Sequence, residues 1–334
     1  MKTCTTPLRA LIAVFLICAA ALVSAESGAV SVDSIGKPEG AARFSPLFPH
    51  ALTQAGAVEI SENRVGAVAS FPAQNDTAAL DLNVTRLQSV FLNNDVFALY
   101  GKPGAYTMGI LGQYSLPAIE PVMNEFIAKY DAANGDRGII PSFYIIFGTC
   151  WPEGEIGYLS DSVIRQYIEF AAQRGWYVFL DHQIGKYSVE SAVKRLLPYL
   201  QYPNDQLAMQ EIGSVTADEV NIAQKMIQDY MIEHGLPGRR MLVIHQFKPK
   251  MIMNRRAVRS DFELVQLIHC ADGFGSPTLK KSTYALNAEA TNIPIKSFKL
   301  FLKPTVAGAG YDQPLMTPDE VFQLNPRPYL IMYQ

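Results

Sequence analysis

The chain has 334 residues, a formal net charge of −3 at pH 7 and four cysteines. A mildly acidic chain does not fit nucleic acid or an anionic membrane as its main partner, because both carry negative charge. The cysteines form no CxxC pair, so the sequence contains none of the common zinc spacings.

The first 25 residues predict a secretory signal that is absent from the mature protein. Lys2 and Arg9 precede an unbroken apolar run over 10–23, and small residues at 23–25 form a cleavage site. The apolar run is too short to span a membrane comfortably. Loss of the two basic residues would change the net charge from −3 to −5. We therefore expect a secreted protein, periplasmic or extracellular, without a membrane span.

The cysteines leave two questions open. Cys18 raises the alternative of lipid attachment, but Ile17 is a poor residue before a lipidated cysteine, so release is favoured. Only Cys150 and Cys270 would remain after cleavage. They either form one disulfide or stay as free cysteines at the ends of two apolar runs.

Residues 26–90 are rich in Ala, Ser, Gly and Pro and have few periodic segments, which predicts an N-terminal linker and a cap over the main domain. From residue 91 onward, apolar strand-like runs alternate with helical patterns. The predicted strands are 96–100, 139–147, 176–185, 206–211, 241–247, 262–270, 298–302 and 329–333. The predicted helices are 118–130, 161–173, 188–200, 216–234 and 318–324.

This alternation predicts an α/β fold, a (β/α)8 barrel of the TIM type over 91–334. Eight strands within about 240 residues fit the roughly 250 residues that such barrels need. A doubly wound sheet is the alternative, but it would not need eight strands. The last connections contain little predicted helix, so we expect the barrel to be irregular in its last repeats.

The run Trp176–Gly185 shows how chemistry is placed on such a strand. Alternation puts Tyr177, Phe179, Asp181 and Gln183 on one face. A carboxylate at the end of a buried strand is costly unless it is hydrogen-bonded, solvated or used. Other predicted strands end in the same way, with Tyr100, Glu211, His245, Gln246, Asp272, Lys299 and Lys303.

Because the carboxyl ends of barrel strands meet at one face, these side chains predict one site. When several carboxylates share one rim, one can have a raised pKa and act as an acid while another stays ionised. Glycoside hydrolysis uses such a pair. Asp181 and Asp272 are the predicted catalytic pair, with Glu211 as a third carboxylate and His245 as a proton relay. The side chains predicted to bind a glycan or a small-molecule ligand are Tyr100, Gln183, Gln246 and Lys299.

Other interpretations of these residues stay open. Asp181 and Lys299 would also make a structural ion pair, and Asp272 begins a common turn dipeptide. The same oxygen and imidazole donors would suit a metal-dependent hydrolase, but no HxH, HExxH or DxD spacing supports it. We therefore predict no metal and no cofactor. A non-catalytic ligand-binding barrel is the second hypothesis.

The chain resembles a group of secreted or cell-surface bacterial proteins that are predicted barrels of unassigned activity. The similarity spans roughly 96–334 and rests on the segments 99–104, 108–112, 180–185, 212–215, 218–221, 243–247, 272–275, 311–318 and 333–334. The resemblance implies that the pocket is lined by Asp181, Gln183, His245, Gln246, Asp272 and Lys299.

The chain departs from this group after the fourth strand. The group carries an Asp-Pro-Glu segment and a longer loop there, whereas 207–213 runs directly into the next helix. Glu211 would then align with a loop residue, and the site would lack one carboxylate. Two carboxyl groups about 5 to 9.5 Å apart across an open pocket would favour hydrolysis. Carboxylates tied into buried ion pairs would favour the binding hypothesis.

Overall fold

The computed structural model describes residues 89–210, 214–305 and 308–334. The predicted signal sequence over 1–25 and nearly all of the predicted linker and cap over 26–90 lie outside the described residues, as does Glu211. Among the described residues, no helix is long and apolar enough to cross a membrane.

The described part of the chain forms a closed barrel of eight parallel strands, which confirms the predicted fold. Each strand pairs with the next one along the chain, and the last pairs with the first, so the barrel has no free edge. The barrel strands are β1 (Asn94–Gly101), β2 (Gly138–Cys150), β4 (Tyr177–Gln183), β5 (Asp205–Gln210), β7 (Arg240–Gln246), β9 (Val265–Ala271), β10 (Ile295–Leu300) and β11 (Leu330–Tyr333).

Three short strands lie in the loops at the carboxyl end of the barrel. β3 (Ile156–Tyr158) runs antiparallel to the end of β2. β6 (Val215–Thr216) and β8 (Ile252–Met253) form a separate parallel pair. These pairs order the connections that follow β2, β5 and β7, and these connections border the barrel mouth.

Helices cover the outside of the barrel, and polar caps fix several of their starts. They are α1 (Leu116–Asp131), α2 (Asp161–Ala172), α3 (Val189–Leu196), α4 (Ala217–Glu233), α5 (Pro277–Ala288) and α6 (Pro318–Phe322). The Ser160 hydroxyl accepts a hydrogen bond from Val163 N, as its capping position predicts. Thr216 and Glu219 form the predicted capping box.

The last repeats are more regular than the sequence predicts. Helix α5 follows β9 in the usual place, although no helix was predicted between the sixth and seventh strands. Ser276 caps it and Pro277 opens it, a combination typical of a helix start. β10 begins three residues earlier than the predicted 298–302. In its described residues, the last connection has only the short helix α6, as the predicted irregularity of the last repeats requires.

Strand alternation divides the buried side chains into two layers. Side chains such as Val96, Tyr144, Phe179 and Val243 fill the lumen of the barrel. Their neighbours along each strand pack outward against the helices in a larger cluster. Cys270 belongs to the lumen, while Cys150 lies at the end of β2, and no disulfide joins them. The alternative in which Cys150 and Cys270 form a disulfide is therefore wrong.

A buried carboxylate closes the amino end of the barrel. Asp95 on β1 is 1% exposed and lies 3.1 Å from Arg137 Nε and 2.6 Å from Arg327 Nη1. Arg137 also donates to the carbonyl oxygens of Phe91 and Asn94. Asp95 therefore joins the segment before β2 to the segment before β11, the two strands that flank β1.

We expect Asp95→Asn to lower the free energy of unfolding by about 2 to 3 kcal/mol. The substitution leaves Arg137 and Arg327 without their carboxylate. Because both arginines are partly exposed, the expected loss of stability is small for the breaking of a buried ion pair. Urea denaturation followed by circular dichroism measures it.

The matched control is Glu125→Gln, which breaks the exposed Lys129–Glu125 pair on α1. This change should alter the free energy of unfolding by less than about 0.5 kcal/mol. Equal unfolding midpoints for the two variants would contradict a stabilising role of Asp95.

Candidate functional site

The carboxyl ends of the barrel strands bring seven polar and aromatic side chains together inside the lumen. We call this set the mouth cluster: Tyr100, Tyr144, Asp181, Gln210, His245, Asp272 and Lys299. Each points inward because each occupies the same phase of strand alternation as the lumen residues. None is more than 6% exposed. The cluster is therefore a connected, nearly enclosed network.

Asp181 is the carboxylate of the cluster without an ion pair. Its Oδ2 accepts a hydrogen bond from the Tyr100 hydroxyl at 2.9 Å. Its Oδ1 is buried and has no hydrogen-bond partner among the described residues. No cation of the described chain lies within ion-pair distance of it, so the structural pair of Asp181 with Lys299 does not form. Burial raises the pKa of Asp181, and the charges of His245 and Lys299 offset this only in part.

Asp272 has the opposite environment. Its Oδ2 lies 3.0 Å from His245 Nδ1 and 3.5 Å from Lys299 Nζ, and its Oδ1 accepts a hydrogen bond from Gly273 N at 2.7 Å. Burial alone would raise its pKa, but Lys299 and the hydrogen bond from His245 hold that pKa well below its usual range. Asp272 is therefore ionised at neutral pH.

His245 links Asp272 to the aromatic side of the lumen. Its Nε2 lies 2.7 Å from the Tyr144 hydroxyl, on the opposite side of the ring from Asp272. Burial opposes a positive charge on the ring, but Cys270 and Asp272 outweigh it and raise the pKa of His245 to about 10. The imidazolium donates to Asp272 and to Tyr144, and both ring nitrogens are satisfied.

Tyr100 and Gln210 connect the two carboxylates. The Tyr100 hydroxyl lies 2.9 Å from Asp181 Oδ2 and 3.1 Å from Gln210 Oε1. Gln210 Nε2 in turn lies 3.5 Å from Asp272 Oδ2. Lys299 Nζ lies 3.8 Å from the centre of the Tyr100 ring. Neutral groups therefore separate Asp181 from Asp272. Of these two carboxylates, Asp272 alone is within ion-pair distance of a cation of the described residues.

A second buried pair holds the strand ends that carry the cluster. Lys280 on α5 is 2% exposed, donates to the carbonyl oxygens of Gly273 and Lys299, and lies 3.7 Å from Asp312. Asp312 accepts hydrogen bonds from Gly275 N and Phe301 N, both at 2.9 Å. These contacts fix the residues that follow β9 and β10, and thereby position Asp272 and Lys299.

The segment after β1 folds back on its own strand. Gly101 and Gly109 form an isolated bridge, and a Cβ at Gly109 would lie 2.5 Å from Tyr100 O. A side chain at 109 would therefore displace the backbone at the end of β1. This close approach explains Gly101 and Gly109 and fixes the backbone that carries Tyr100.

The structure places most of the predicted site residues as expected and corrects two. Tyr100, Asp181, His245, Asp272 and Lys299 meet in the lumen, and Gln183 lies beside them with its Oε1 accepting from Cys150 N at 2.8 Å. Lys303, expected on the inward face of the seventh strand, lies beyond β10 and is exposed. Glu211 lies outside the described residues.

Gln246 is not a lumen residue, which corrects its predicted role in binding. Since His245 points inward, alternation turns Gln246 outward. Its Nε2 donates to the carbonyl oxygens of Lys248 and Pro249, and its Oε1 lies 2.8 Å from His269 Nε2 and 3.2 Å from Arg255 Nη1. Gln246 therefore anchors the loop after β7 outside the lumen.

The sequence analysis missed four residues of the site or its support: Tyr144, Gln210, Lys280 and Asp312. Alternation along β2 could have found Tyr144, and the same pattern along β5 favours Gln210 over Glu211. Nothing in the sequence marks Lys280 as a buried lysine. Within the ranges that the structure describes, no group of three His, Cys, Asp or Glu side chains is arranged to hold a metal ion.

No protein-family model matches the sequence, and no curated protein matches it either. Among solved structures, the chain is similar to the ICChI chitinase from Ipomoea carnea, with 11% identity and a TM-score of 0.40 over 72% of this chain and 94% of that chain. It is also similar to a GH138 enzyme targeting pectin rhamnogalacturonan II, with 11% identity and a TM-score of 0.39. That match covers 72% of this chain but 34% of the other.

A third similar structure is GH26C from Muricauda sp., with 9% identity and a TM-score of 0.37 over 75% of this chain and 81% of that chain. These likenesses concern the fold, and no residue role in the mouth cluster rests on them. The fold and the cluster together define a (β/α)8 barrel with an acidic and basic site inside its mouth.

We expect the His245 ring to remain an imidazolium up to pH 9 and its pKa to fall in the Asp272→Asn variant. Burial lowers this pKa, and without the Asp272 carboxylate only Cys270 still opposes burial, so the pKa should fall below about 10. Stability that this imidazolium contributes is complete below about pH 6.5 and is lost as pH rises towards 10. Histidine ring NMR measures the pKa directly.

His182 serves as the internal control in the same spectra. Burial lowers the pKa of His182 to about 4, and Asp272 is not among its partners. Its resonances should therefore be the same in the wild type and in Asp272→Asn. A His245 pKa that is unchanged by the substitution would remove Asp272 as the cause of the imidazolium.

Proposed function

We propose that the protein is a secreted hydrolase of the glycoside-hydrolase kind that acts on a glycan or a cell-wall polymer. One observation carries the proposal. Two carboxylates of a single hydrogen-bonded network have pKa values shifted in opposite directions, Asp181 upward and Asp272 downward. A carboxyl group with a raised pKa and a second one that stays ionised, within one site, are what glycoside cleavage needs.

The environment of Asp181 supports the role of the acid. An ion-paired carboxylate is a common structural element, whereas a buried carboxyl with an unpaired oxygen destabilises the fold. Groups of this type are enriched at functional sites. With its pKa raised by burial, Asp181 can hold a proton on Oδ1 and donate it to the leaving oxygen of a glycosidic bond.

Asp272 supplies the negative charge in this scheme. Lys299 and His245 keep it ionised, so it can stabilise the positive charge that develops on the sugar ring. Asp181, once it has given its proton to the leaving oxygen, then accepts a proton from the attacking water. His245 then passes or holds a proton between Asp272 and Tyr144. The charges on Lys299 and His245 also keep Asp272 from competing with Asp181 for the catalytic proton.

A substrate can reach Asp181 without breaking an ion pair. Its polar partner, the Tyr100 hydroxyl, carries no charge, so a sugar hydroxyl can replace it without separating an ion pair. Gln210 and Gln183, at 6% and 5% exposure, are slightly more exposed than the other polar side chains of the mouth cluster. Their amides can donate to and accept from sugar hydroxyls.

A non-catalytic ligand-binding barrel is the second candidate, and a specific observation favours it. Asp272 is 3% exposed and is engaged by a cation, an imidazolium and a backbone amide. A carboxylate with this many partners resembles a structural group more than a nucleophile. In this case, the amides of Gln183 and Gln210 would bind a ligand that the protein does not alter.

Secretion is part of the proposal and rests on the sequence of residues 1–25, in which a basic start precedes an apolar run and a small-residue cleavage site. The resemblance to secreted or cell-surface bacterial barrels points in the same direction. Immunoblotting of medium, periplasm and cytoplasm with an antibody against the barrel would test it. A full-length product confined to the cytoplasm would contradict secretion.

We expect hydrolysis of envelope polysaccharides to be lost in Asp181→Asn, by a factor of about 1,000 or more in kcat. In the wild type, activity should fall as pH rises through the raised pKa of Asp181, because the proton donor is then ionised. The Tyr100 hydroxyl lowers the pKa of Asp181, so Tyr100→Phe should move this basic limb to higher pH. Release of reducing ends, measured against pH, follows both effects.

The control variant is Asp161→Asn, which changes an exposed carboxylate on α2 and should leave kcat unchanged. Hydrolysis that survives in Asp181→Asn would refute the assignment of the acid. Binding of a glycan that is never cleaved, at any pH, would favour the binding barrel instead.

A further inference from the structure

The lysines of the described chain fall into two groups by their partners. On the outer helices, lysines are paired with acids one turn away: Lys129 with Glu125, Lys194 with Glu190, and Lys225 with Asp229. Four other solvent-accessible lysines have no acidic partner within ion-pair distance among the described residues: Lys102, Lys248, Lys250 and Lys303.

These four lysines, which we call the mouth lysines, share one position in the fold. Lys102 directly follows β1, Lys248 and Lys250 follow β7, and Lys303 follows β10. All barrel strands are parallel, so their carboxyl ends lie on the same face as the mouth cluster. In a chain with a net charge of −3, four lysines without an acidic partner therefore lie on the face where the site opens, which also carries Glu153 and Glu155 between β2 and β3.

Lys303 stands at a small cleft on this face. The cleft has a volume of about 110 Å³ and is lined by backbone and side chains of the loops after β1 and β10, including Thr107, Gln113, Lys303 and Gln334. Phe301 lines the cleft and also lies 5.0 Å from Lys299 Nζ. A group bound beside Lys303 would therefore be close to the mouth cluster.

Lys102 stands next to an exposed aromatic ring. Its Nζ donates to Thr149 Oγ1 at 2.8 Å and lies 5.5 Å from the centre of the Trp151 ring. Trp151 is 41% exposed, and a Cβ at Gly157 would lie 2.5 Å from its Nε1, so only glycine leaves room for the ring in this position. A cation beside an exposed indole is suited to a sugar ring that carries an anionic substituent.

We infer that the mouth face binds an acidic polysaccharide, whose carboxylate or sulfate groups contact the mouth lysines while one of its sugar rings packs on Trp151. The inference rests on the proposed function for the use of the site, but the binding itself does not require hydrolysis. It names the substrate class: an anionic glycan, not a neutral one. The positive charges of the mouth lysines also attract such a polymer from solution.

The test uses the mature Asp181→Asn protein, which should bind without cleaving. Binding to polygalacturonate and to dextran sulfate is measured by affinity electrophoresis, with methyl-esterified polygalacturonate and plain dextran as the neutral counterparts. We expect retardation by the two anionic polymers that weakens with added salt, and little or none by the neutral ones.

Two triple variants with the same change in net charge locate the binding face. Lys248→Gln, Lys250→Gln and Lys303→Gln together should weaken binding roughly tenfold, since each exposed charge contributes about twofold. Lys129→Gln, Lys194→Gln and Lys225→Gln on the outer helices should have little effect. Trp151→Ala should weaken binding to polygalacturonate even where both lysine sets are intact.

Equal losses in the two triple variants, or equal binding of neutral and anionic polymers, would overturn the inference. Binding to phosphatidylglycerol vesicles but to neither anionic polymer would also overturn it, in favour of a membrane surface. Anionic glycan binding at the mouth face, without cleavage by the wild type, would keep this inference and refute the hydrolase. Cleavage confined to neutral glycans would keep the hydrolase and refute the anionic substrate class.

Discussion

The ion pair of Asp272 with Lys299 and His245 is the interaction on which the rest of the barrel mouth depends. The three groups come from β9 and its two neighbours in the sheet, β10 and β7. Charges this deep in a protein cost several kcal/mol each unless they satisfy one another. Because Asp272 contacts both cations, the lumen can hold polar groups where most barrels of this size hold apolar layers. Asp181 is the carboxyl group of the mouth cluster that forms no ion pair with either cation.

The fold was predictable because its strands are buried on both faces and separated by capped helices. Helix α5 was missed for a physical reason: its buried positions include Lys280 and Asn287, where an amphipathic pattern requires apolar residues. Lys280 is buried because it reaches the carbonyl oxygens of Gly273 and Lys299. A pattern of hydrophobicity cannot show that a lysine has such partners.

The site was predictable as far as strand alternation reaches. Alternation placed Asp181, His245 and Lys299 inward, and the same rule turns Gln246 outward, where the prediction was wrong. It could not show which carboxylate Lys299 would contact, because that depends on the stagger of neighbouring strands around the closed barrel. The difference between Asp181 and Asp272 arises from that stagger, and it was visible only in three dimensions.

The two carboxylates are held by unequal means, and this bears on function. Asp272 is locked by its own ion pairs and by the Lys280–Asp312 pair that fixes the strand ends, so moving it would break several buried contacts. Asp181 is held by one neutral hydrogen bond from Tyr100. A ligand that enters the lumen can therefore reorganise the surroundings of Asp181 at small cost while the charge of Asp272 stays in place. The proposed role of Asp181 as the acid rests on this difference between the two carboxylates.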